Sequence, residues 1–255
     1  GYTAAIWAAQ LGASVARVEQ GGLGGTCLNR GCIPTKALLK SAEVFDLLGR
    51  AGEYGLSADV RSLSAEPEQL LRRKDGIVQQ LRTGLEYLMK KHGVIICPGI
   101  GTVFSGPSVE VRGGQAKTLI HCEKLILAAG SAPVSPPIPG LEQEGVLTSS
   151  DALRTAEVPK RIAIIGGGVI GLEFATFYRS LGSEVTIVEL LDRILPGEDE
   201  DVSAALLRAM KKQRIRFLLG AKVLRVDRQV GQLTVVYDYN WAAASVQTDR
   251  LLSAI

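Results

Sequence analysis

The stretch from Arg161 to Glu189 limits the possible folds more than any other part of the chain. An apolar run, Arg161 to Ile165, leads into Gly166-Gly167-Gly168-Val169-Ile170-Gly171. A helical segment follows over Leu172 to Leu181, then a second strand, Glu184 to Val188, closed by the acid Glu189. Strand, Gly-x-Gly-x-x-Gly turn, helix and a strand-end acid roughly twenty residues on are the parts of a dinucleotide-binding unit. Gly166, Gly168 and Gly171 permit a tight turn and bring a pyrophosphate close to the helix amides, with Val169 and Ile170 in the same cofactor-binding turn. The Glu189 carboxylate can accept hydrogen bonds from a ribose diol. It would repel a phosphate on that ribose, and only Arg193 follows closely enough to offset this, so NAD is expected rather than NADP.

The start of the chain carries the back half of a second such unit. Gly1 to Gly12 reads as a small-residue helix, and Ser14 to Val18 as a strand that Glu19 closes. Gly1 takes the place of the last glycine of the turn; the strand and first two glycines that would precede it are absent from the sequence. The fold class expected is α/β, with two Rossmann-like dinucleotide-binding domains, parallel central sheets, helices and small antiparallel β meanders.

Between the two units lies Gly24-Gly25-Thr26-Cys27-Leu28-Asn29-Arg30-Gly31-Cys32-Ile33-Pro34-Thr35-Lys36. Pro34 suits a first helical turn, and Ala37, Leu38, Leu39, Ala42, Val44, Phe45, Leu47 and Leu48 recur at helical spacing, so a helix is expected to begin near Cys32. Its amides and partial positive charge would favour a thiolate at Cys32, and Lys36, one turn on, adds a second positive charge. The pair reads as a redox-active disulfide. Blander readings compete. A structural zinc site usually takes two close pairs of ligands, whereas Cys97 and Cys122 stand apart in apolar, strand-like runs, where they read as buried and inert. A purely structural disulfide closing so short a loop would constrain the unfolded chain little.

This cysteine segment resembles the active-site signature of the flavin-dependent disulfide reductases. Its Leu-Asn-Arg filling and Ile-Pro-Thr-Lys ending are most similar to the bacterial branch that oxidises dihydrolipoamide. The resemblance implies an FAD-binding domain over residues 1–147 and an NAD-binding domain over 148–255. It implies that Gly1, Glu19, Gly25, Thr26 and Lys36 belong to the flavin site, with Glu19 on a ribose and the Gly101 backbone beside the adenine. Where the family has Ala-Thr-Gly-Ser, this chain has Ala128-Ala129-Gly130-Ser131; a hydroxyl is missing at Ala129, while backbone contacts from Ala129, Gly130 and Ser131 stay possible. Val223 matches a position that touches the NAD adenine. Glu173 matches an acid that pairs with the lysine of the cysteine helix, so a Lys36–Glu173 ion pair is expected beside the flavin.

The catalytic set implied is Cys27, Cys32, Lys36 and Glu173. A dihydrolipoamide thiolate would attack Cys27, Cys32 would leave as a thiolate and pass electrons to the flavin, and NAD would accept the hydride. The family's second flavin segment and its dimerisation domain, which supplies a His-Glu pair, have no counterpart in this sequence. Neither His92 nor His121 sits in a matching motif. The partners implied are dihydrolipoamide, carried on a lipoyl domain of a 2-oxoacid dehydrogenase or glycine cleavage complex, and a second subunit in a full-length homodimer. The alternatives are a glutathione or mercuric reductase, which commonly carry valine before the signature proline and prefer NADPH, and a non-catalytic nucleotide-binding fragment.

The rest of the chain fits this frame. Pro67 to about His92 reads as a long helix with Leu71, Val78, Leu81, Leu85 and Leu88 on one face and charges opposite; His92, beside Gly93, suits a helix end. Strands are expected over Val94 to Val103, Ser108 to Val111 and Thr118 to Leu127. Four prolines between Pro133 and Gly140 mark a stiff connection before Ser149-Ser150-Asp151, which can cap a short helix. A helix over Ser203 to Lys212 and strands over Phe217 to Leu219, Lys222 to Asp227, Leu233 to Tyr237 and Thr248 to Ile255 complete the second domain. With 255 residues, 46% hydrophobic, a net charge of +3 and no run of basic residues longer than Arg72-Arg73-Lys74, neither a nucleic-acid surface nor a membrane span is expected. Four cysteines with one close pair suit a reducing, cytoplasmic setting. No signal peptide is visible, although the chain does not begin with methionine.

Overall fold

The computed structural model describes residues 1–57, 59–104, 106–155, 157–229 and 231–255. The chain divides into two compact units: Gly1–Pro34 with Asp75–Ser131, and Thr35–Lys74 with Ala132–Ile255. These divisions fall elsewhere than the domain boundary at 147/148 expected from the sequence.

In the first unit, helix α1 (Tyr2–Gln10) precedes strand β1 (Ala16–Glu19), then come α2 (Gly25–Arg30) and the first residues of α3 (Cys32–Gly49). The last turns of α4 (Pro67–Lys91) lead to β2 (Ile95–Pro98), which pairs parallel with β1 from Ala16 opposite Ile95 to Glu19 opposite Pro98. An antiparallel meander follows: β3 (Ile100–Val103), β4 (Ser108–Gly113) and β5 (Ala116–His121). The expected single run Val94 to Val103 is broken because Gly99 sits at φ +142, where a Cβ would lie 2.5 Å from the Arg112 carbonyl oxygen. Ala5, Leu23, Leu85, Met89 and Val94 form the core of this unit.

Several expectations need correction. α2 was not foreseen. The strand expected to run to Leu127 ends at His121; Lys124 to Leu127 joins no ladder among the described residues, and Ile126 and Leu127 stand 66% and 76% exposed. Apolar composition alone does not make a strand without an edge to pair with. Cys97 and Cys122 are half-buried rather than buried. On α4, Leu81 and Leu88 are exposed while Lys74 is buried, its Nζ donating to the Leu153 carbonyl at 2.6 Å. A long lysine stem can pack in an apolar layer when its ammonium finds a carbonyl.

The second unit holds most of α3 and the first part of α4, then β6 (Val146–Thr148), α5 (Ser149–Ala152), β7 (Arg161–Ile165), α6 (Val169–Ser180), β8 (Glu184–Glu189), α7 (Glu200–Lys212) and β9 (Arg216–Leu219). Next come β10 (Lys222–Gln229), β11 (Gln232–Tyr239), β12 (Ala242–Thr248) and β13 (Arg250–Ser253). A five-stranded parallel sheet has the order β6-β13-β7-β8-β9, and β10-β11-β12 form an antiparallel meander. Ile162, Ala163, Ile164 and Ile165 of β7 are all buried, as expected of a parallel strand covered on both faces. The expected final strand, Thr248 to Ile255, is β13, while β12 before it was not expected; the two are separated at Asp249, whose carboxylate accepts from the Arg161 amide and guanidinium at 2.9 and 2.6 Å. α5 is capped by Thr148, not by the serines: Thr148 and Asp151 form a reciprocal capping box, and the Thr148 hydroxyl lowers the Asp151 carboxyl below its ordinary pKa.

Candidate active site

Gly24 and Gly25 adopt left-handed φ values of +114 and +70, which only glycine takes without strain, and so turn the chain into α2. The Asn29 amide donates to the carbonyls of Gly22, Leu23 and Gly25 at 3.0, 3.0 and 2.9 Å. Gly31 then brings α3 tightly against α2, for a Cβ there would lie 3.0 Å from the Thr26 carbonyl and 3.2 Å from the Cys27 Cα. As a result Cys27, on α2, and Cys32, the first residue of α3, are neighbours; both are exposed free thiols.

The Cys27 thiol is pushed above its ordinary pKa, first by its side-chain hydrogen bond with Cys32, then by partial burial and the charge of Cys32, while the backbone amides of Cys32 and Ile33 oppose this. The first amides of α3 thus also reach the Cys27 thiol.

Gly1 caps α1, and a Cβ there would stand 3.6 Å from the Ala128 Cβ. Glu19 ends β1; its carboxylate accepts from the Arg17 guanidinium at 2.6 Å and from the Gly21 amide at 3.1 Å. Gly101, on β3, sits where a Cβ would press on Val18 and Val109 at 3.2 and 3.3 Å. Thr26 lies exposed beside Gly25, and Ala129, Gly130 and Ser131 follow the unpaired Lys124–Leu127 segment, with the Ser131 carbonyl accepting from Arg30 at 3.2 Å. An open groove of about 760 Å³, lined by Gln20, Cys97, Gly99, Ile100, Arg112 and Thr118 among others, lies past the end of β1. That volume lies within the usual range of cofactor pockets, and its place next to a strand-end acid suits the nucleoside end of a dinucleotide.

In the second unit each fingerprint glycine has its own physical reason. Gly166 turns at φ +111, with the Ala254 carbonyl 2.5 Å from a would-be Cβ. Gly171 lets α6 rest on the turn, since a Cβ there would come within 2.1 Å of the Gly166 carbonyl oxygen. Gly168, the N-cap of α6, has nothing within 4 Å of that position and no side-chain cap, so no side chain occupies the first-turn amides of α6. Such a cradle fits a pyrophosphate. Glu189 is buried, its carboxylate accepting from the Gly167 amide at 2.5 Å and from the Leu191 amide at 2.8 Å. Lone pairs remain for ribose hydroxyls, since a carboxylate offers about four acceptor sites. Val223, half-buried on β10, lies at a register irregularity of the meander.

Lys36 Nζ and Glu173 Oε1 meet at 2.5 Å, joining α3 to the second turn of α6 within the second unit. The sequence placed these residues together although they are far apart in the chain. The Asp46 carboxylate accepts from the Ser180 hydroxyl at 2.5 Å on the same two helices, a contact no motif announced. His121 pairs with Ser108 across the hairpin at 2.9 Å. Among the described residues no cluster of three or more His, Cys, Asp or Glu is arranged to hold a metal, and no helix is long and apolar enough to cross a membrane.

A paired-cysteine turn, a strand-end acid beside an open groove, and a complete glycine cradle are the parts that a disulfide oxidoreductase using two nucleotides would need. All residues, 1–255, match the family described as pyridine nucleotide-disulphide oxidoreductase, and the chain belongs to that family. A dihydrolipoyl dehydrogenase of Acholeplasma laidlawii is 42% identical over 259 residues, covering 100% of this chain and 74% of the relative. Two dihydrolipoyl dehydrogenases of Bacillus subtilis are 36% and 44% identical, covering 100% and 88% of this chain but only 55% and 49% of their own lengths. The chain thus spans about half the length of most of these relatives. Among solved structures, the HOCl-induced flavoprotein disulfide reductase RclA of Escherichia coli superposes with a TM-score of 0.82 at 31% identity, over 100% of this chain and 53% of that one. A Cu(II) complex of a cysteine-to-serine mutant of the same reductase gives 0.85 at 30% identity, covering 54% of that chain.

Proposed function

We propose that this chain supplies the redox disulfide and both nucleotide sites of an NAD-dependent dihydrolipoyl dehydrogenase, with residues 1–147 serving FAD and 148–255 serving NAD. The observation that carries the reading is the juxtaposition of Cys27 and Cys32 across the α2–α3 junction, in a chain whose curated relatives include several dihydrolipoyl dehydrogenases. FAD and NAD are the cofactors of such enzymes. FAD, held by the residues of the first nucleotide site, would supply a two-electron acceptor for the reduced cysteine pair and a hydride donor to NAD.

The chain's own residues do the rest. In the oxidised state the Cys27–Cys32 disulfide accepts a dihydrolipoamide thiolate at Cys27, so one S–S bond breaks, a mixed disulfide forms and Cys32 leaves as a thiolate. The second substrate thiolate then attacks the mixed disulfide, releases lipoamide and leaves Cys27 and Cys32 reduced. Lys36 holds a positive charge one helical turn beyond Cys32, and Glu173 holds Lys36 in place. Gly1, Glu19, Gly25, Thr26, Gly101, Ala129, Gly130 and Ser131 form the flavin site. Gly166, Gly168, Val169, Ile170, Gly171, Glu189 and Val223 form the NAD site. Glu189 disfavours NADP. A lipoyl domain as physiological substrate carrier, a homodimer at full length and a cytoplasmic location belong to the same reading.

The test is a comparison of acceptors. The protein, loaded with FAD, is given NADH or NADPH and, in turn, lipoamide, glutathione disulfide, mercuric ion or Cu(II). The reading predicts preferential reduction of lipoamide by NADH. Preference for glutathione disulfide or a metal ion with NADPH would assign the chain to another branch of the family, and FAD binding without any turnover would mark a nucleotide-binding piece alone.

A further inference from the structure

The two nucleotide-binding units end their strands on the same acid but differ two residues before it. Strand β1 closes with Arg17-Val18-Glu19 and strand β8 with Ile187-Val188-Glu189. Ile187 is fully buried, as expected of a parallel strand covered on both faces. Arg17 holds the same place in the first unit, and its side chain is only 12% exposed. A guanidinium so placed is unfavourable unless its donors find acceptors.

One donor does. Arg17 Nη2 donates to Glu19 Oε2 at 2.6 Å, while Glu19 Oε1 accepts from the Gly21 amide at 3.1 Å. Arg17 Nη1 is buried and has no partner among the described residues. Nη2 also stands 3.8 Å from where a Cβ on Gly1 would lie, and Gly1 caps α1 without a side chain. The guanidinium thus sits between the acid and the start of α1, whereas the groove begins beyond the acid, at Gln20. A second guanidinium borders the same turn: a Cβ on Gly22 would lie 2.7 Å from Arg82 Cζ, and Arg82 Nε is again buried without a partner. Among the described residues four buried side-chain polar atoms lack a partner; the other two, Gln143 Oε1 and the Tyr178 hydroxyl, carry no charge. All the residues around this turn belong to the first unit.

Unmet donors on buried cations call for an anionic acceptor. A dinucleotide brings one to this spot, because its diphosphate lies between the ribose held by the strand-end acid and the first helix of the unit. We propose that Arg17 is a specificity-determining residue of the first nucleotide site: Nη1 donates to a diphosphate oxygen of the bound nucleotide, while Nη2 fixes the Glu19 carboxylate that receives the ribose. The planar guanidinium fork can serve both acceptors at once. This role rests on the first unit being the flavin site, and it makes that site depend on the diphosphate through a side chain that the second unit, with Ile187, does not have.

The experiment is displacement of FAD from the FAD-loaded full chain by ADP and by adenosine, followed by flavin fluorescence polarisation, in wild type, Arg17→Lys and Arg17→Met. Polarisation reads the flavin site alone, whatever ADP does at the second site. Methionine removes the charge and suits a position that Ile187 shows can be apolar. ADP is expected to displace FAD from wild type. Its affinity is expected to fall at least tenfold in Arg17→Met, while that of adenosine, the weaker competitor, changes less than twofold. Arg17→Lys, which keeps the charge and loses the fork, should fall between. NADH affinity at the second site, unchanged in both variants, checks that each is folded. Unchanged ADP affinity in Arg17→Met would overturn the phosphate contact, as would an equal loss of ADP and adenosine, which marks a support for Glu19 alone. Failure of ADP to displace FAD from wild type would overturn the flavin reading of the first unit, and this role with it.

Discussion

Two glycines of the same turn should fail in different ways when given a methyl group. At Gly171 an added Cβ would sit 2.1 Å from the Gly166 carbonyl oxygen and 3.3 Å from Ile164 Cγ2. The clash is with backbone, so relief requires α6 to move away from the end of β7 by more than about 1 Å. Alanine is favoured over glycine within a helix by about 1 kcal/mol, but overpacking costs about 1 to 3 kcal/mol and more where backbone must shift. A net loss of about 2 kcal/mol is expected for Gly171→Ala. Gly168 has an ordinary extended backbone, φ −78 and ψ 179, and open space at its Cβ position. There the entropy gained by removing a glycine from the unfolded chain roughly offsets the poorer helix cap, so Gly168→Ala should stay within about 0.5 kcal/mol of wild type. Its methyl group would nevertheless occupy the space through which a pyrophosphate reaches the α6 amides. Urea unfolding without nucleotide, paired with NADH binding followed by fluorescence, separates the two effects. The expected outcome is a destabilised Gly171→Ala protein, and a stable Gly168→Ala protein whose NADH affinity falls at least tenfold. Full stability in the first variant, or unchanged NADH affinity in the second, would refute the division of roles.

Other consequences are open to test. The Tyr178 hydroxyl is buried without a partner among the described residues, and burial, with a smaller effect of Glu157, pushes its pKa up to about 12. Tyr178→Phe should therefore stabilise the protein by about 1 kcal/mol at neutral pH. Because the folded pKa is raised, the neutral phenol's stabilisation is complete below about pH 10 and is lost as pH rises toward 12; wild type should lose about 2 to 3 kcal/mol over that window relative to the variant, read by urea midpoints. Asn29→Ala removes three hydrogen bonds to the Gly22–Gly25 turn and should speed alkylation of Cys27 several-fold while leaving the unfolding midpoint of the second unit in place. Lys36→Met breaks a pair whose lysine is 58% exposed, so stability should change by less than about 1 kcal/mol; a large loss of lipoamide reduction in that variant would then be a property of the site.

How far the sequence spoke for itself differs between regions. The nicotinamide-type unit was readable almost residue by residue, because glycine turns, a buried apolar strand and a strand-end acid each leave a local mark. The Lys36–Glu173 contact was readable only through resemblance, since nothing local ties a residue of one helix to a residue of another so far along the chain. Helix α2 left no mark in the sequence, because its six residues carry no periodicity long enough to see. Lys124 to Leu127 has strand composition but no neighbouring edge, and pairing is decided by tertiary context. Buried Lys74 was invisible for the same reason, since burial emerges only once the elements are packed.

The central claim is that Cys32, and not Cys27, presents its thiolate to the flavin once the pair is reduced. The most direct measurement is the anaerobic visible spectrum of the FAD-loaded protein with the flavin kept oxidised: wild type after one equivalent of dihydrolipoamide, which places two electrons on the cysteine pair, and Cys27→Ser and Cys32→Ser without added reductant, since each keeps one free thiol. The account predicts a long-wavelength thiolate-to-flavin absorption in wild type and in Cys27→Ser, absent from Cys32→Ser. Survival of that band in Cys32→Ser would contradict it.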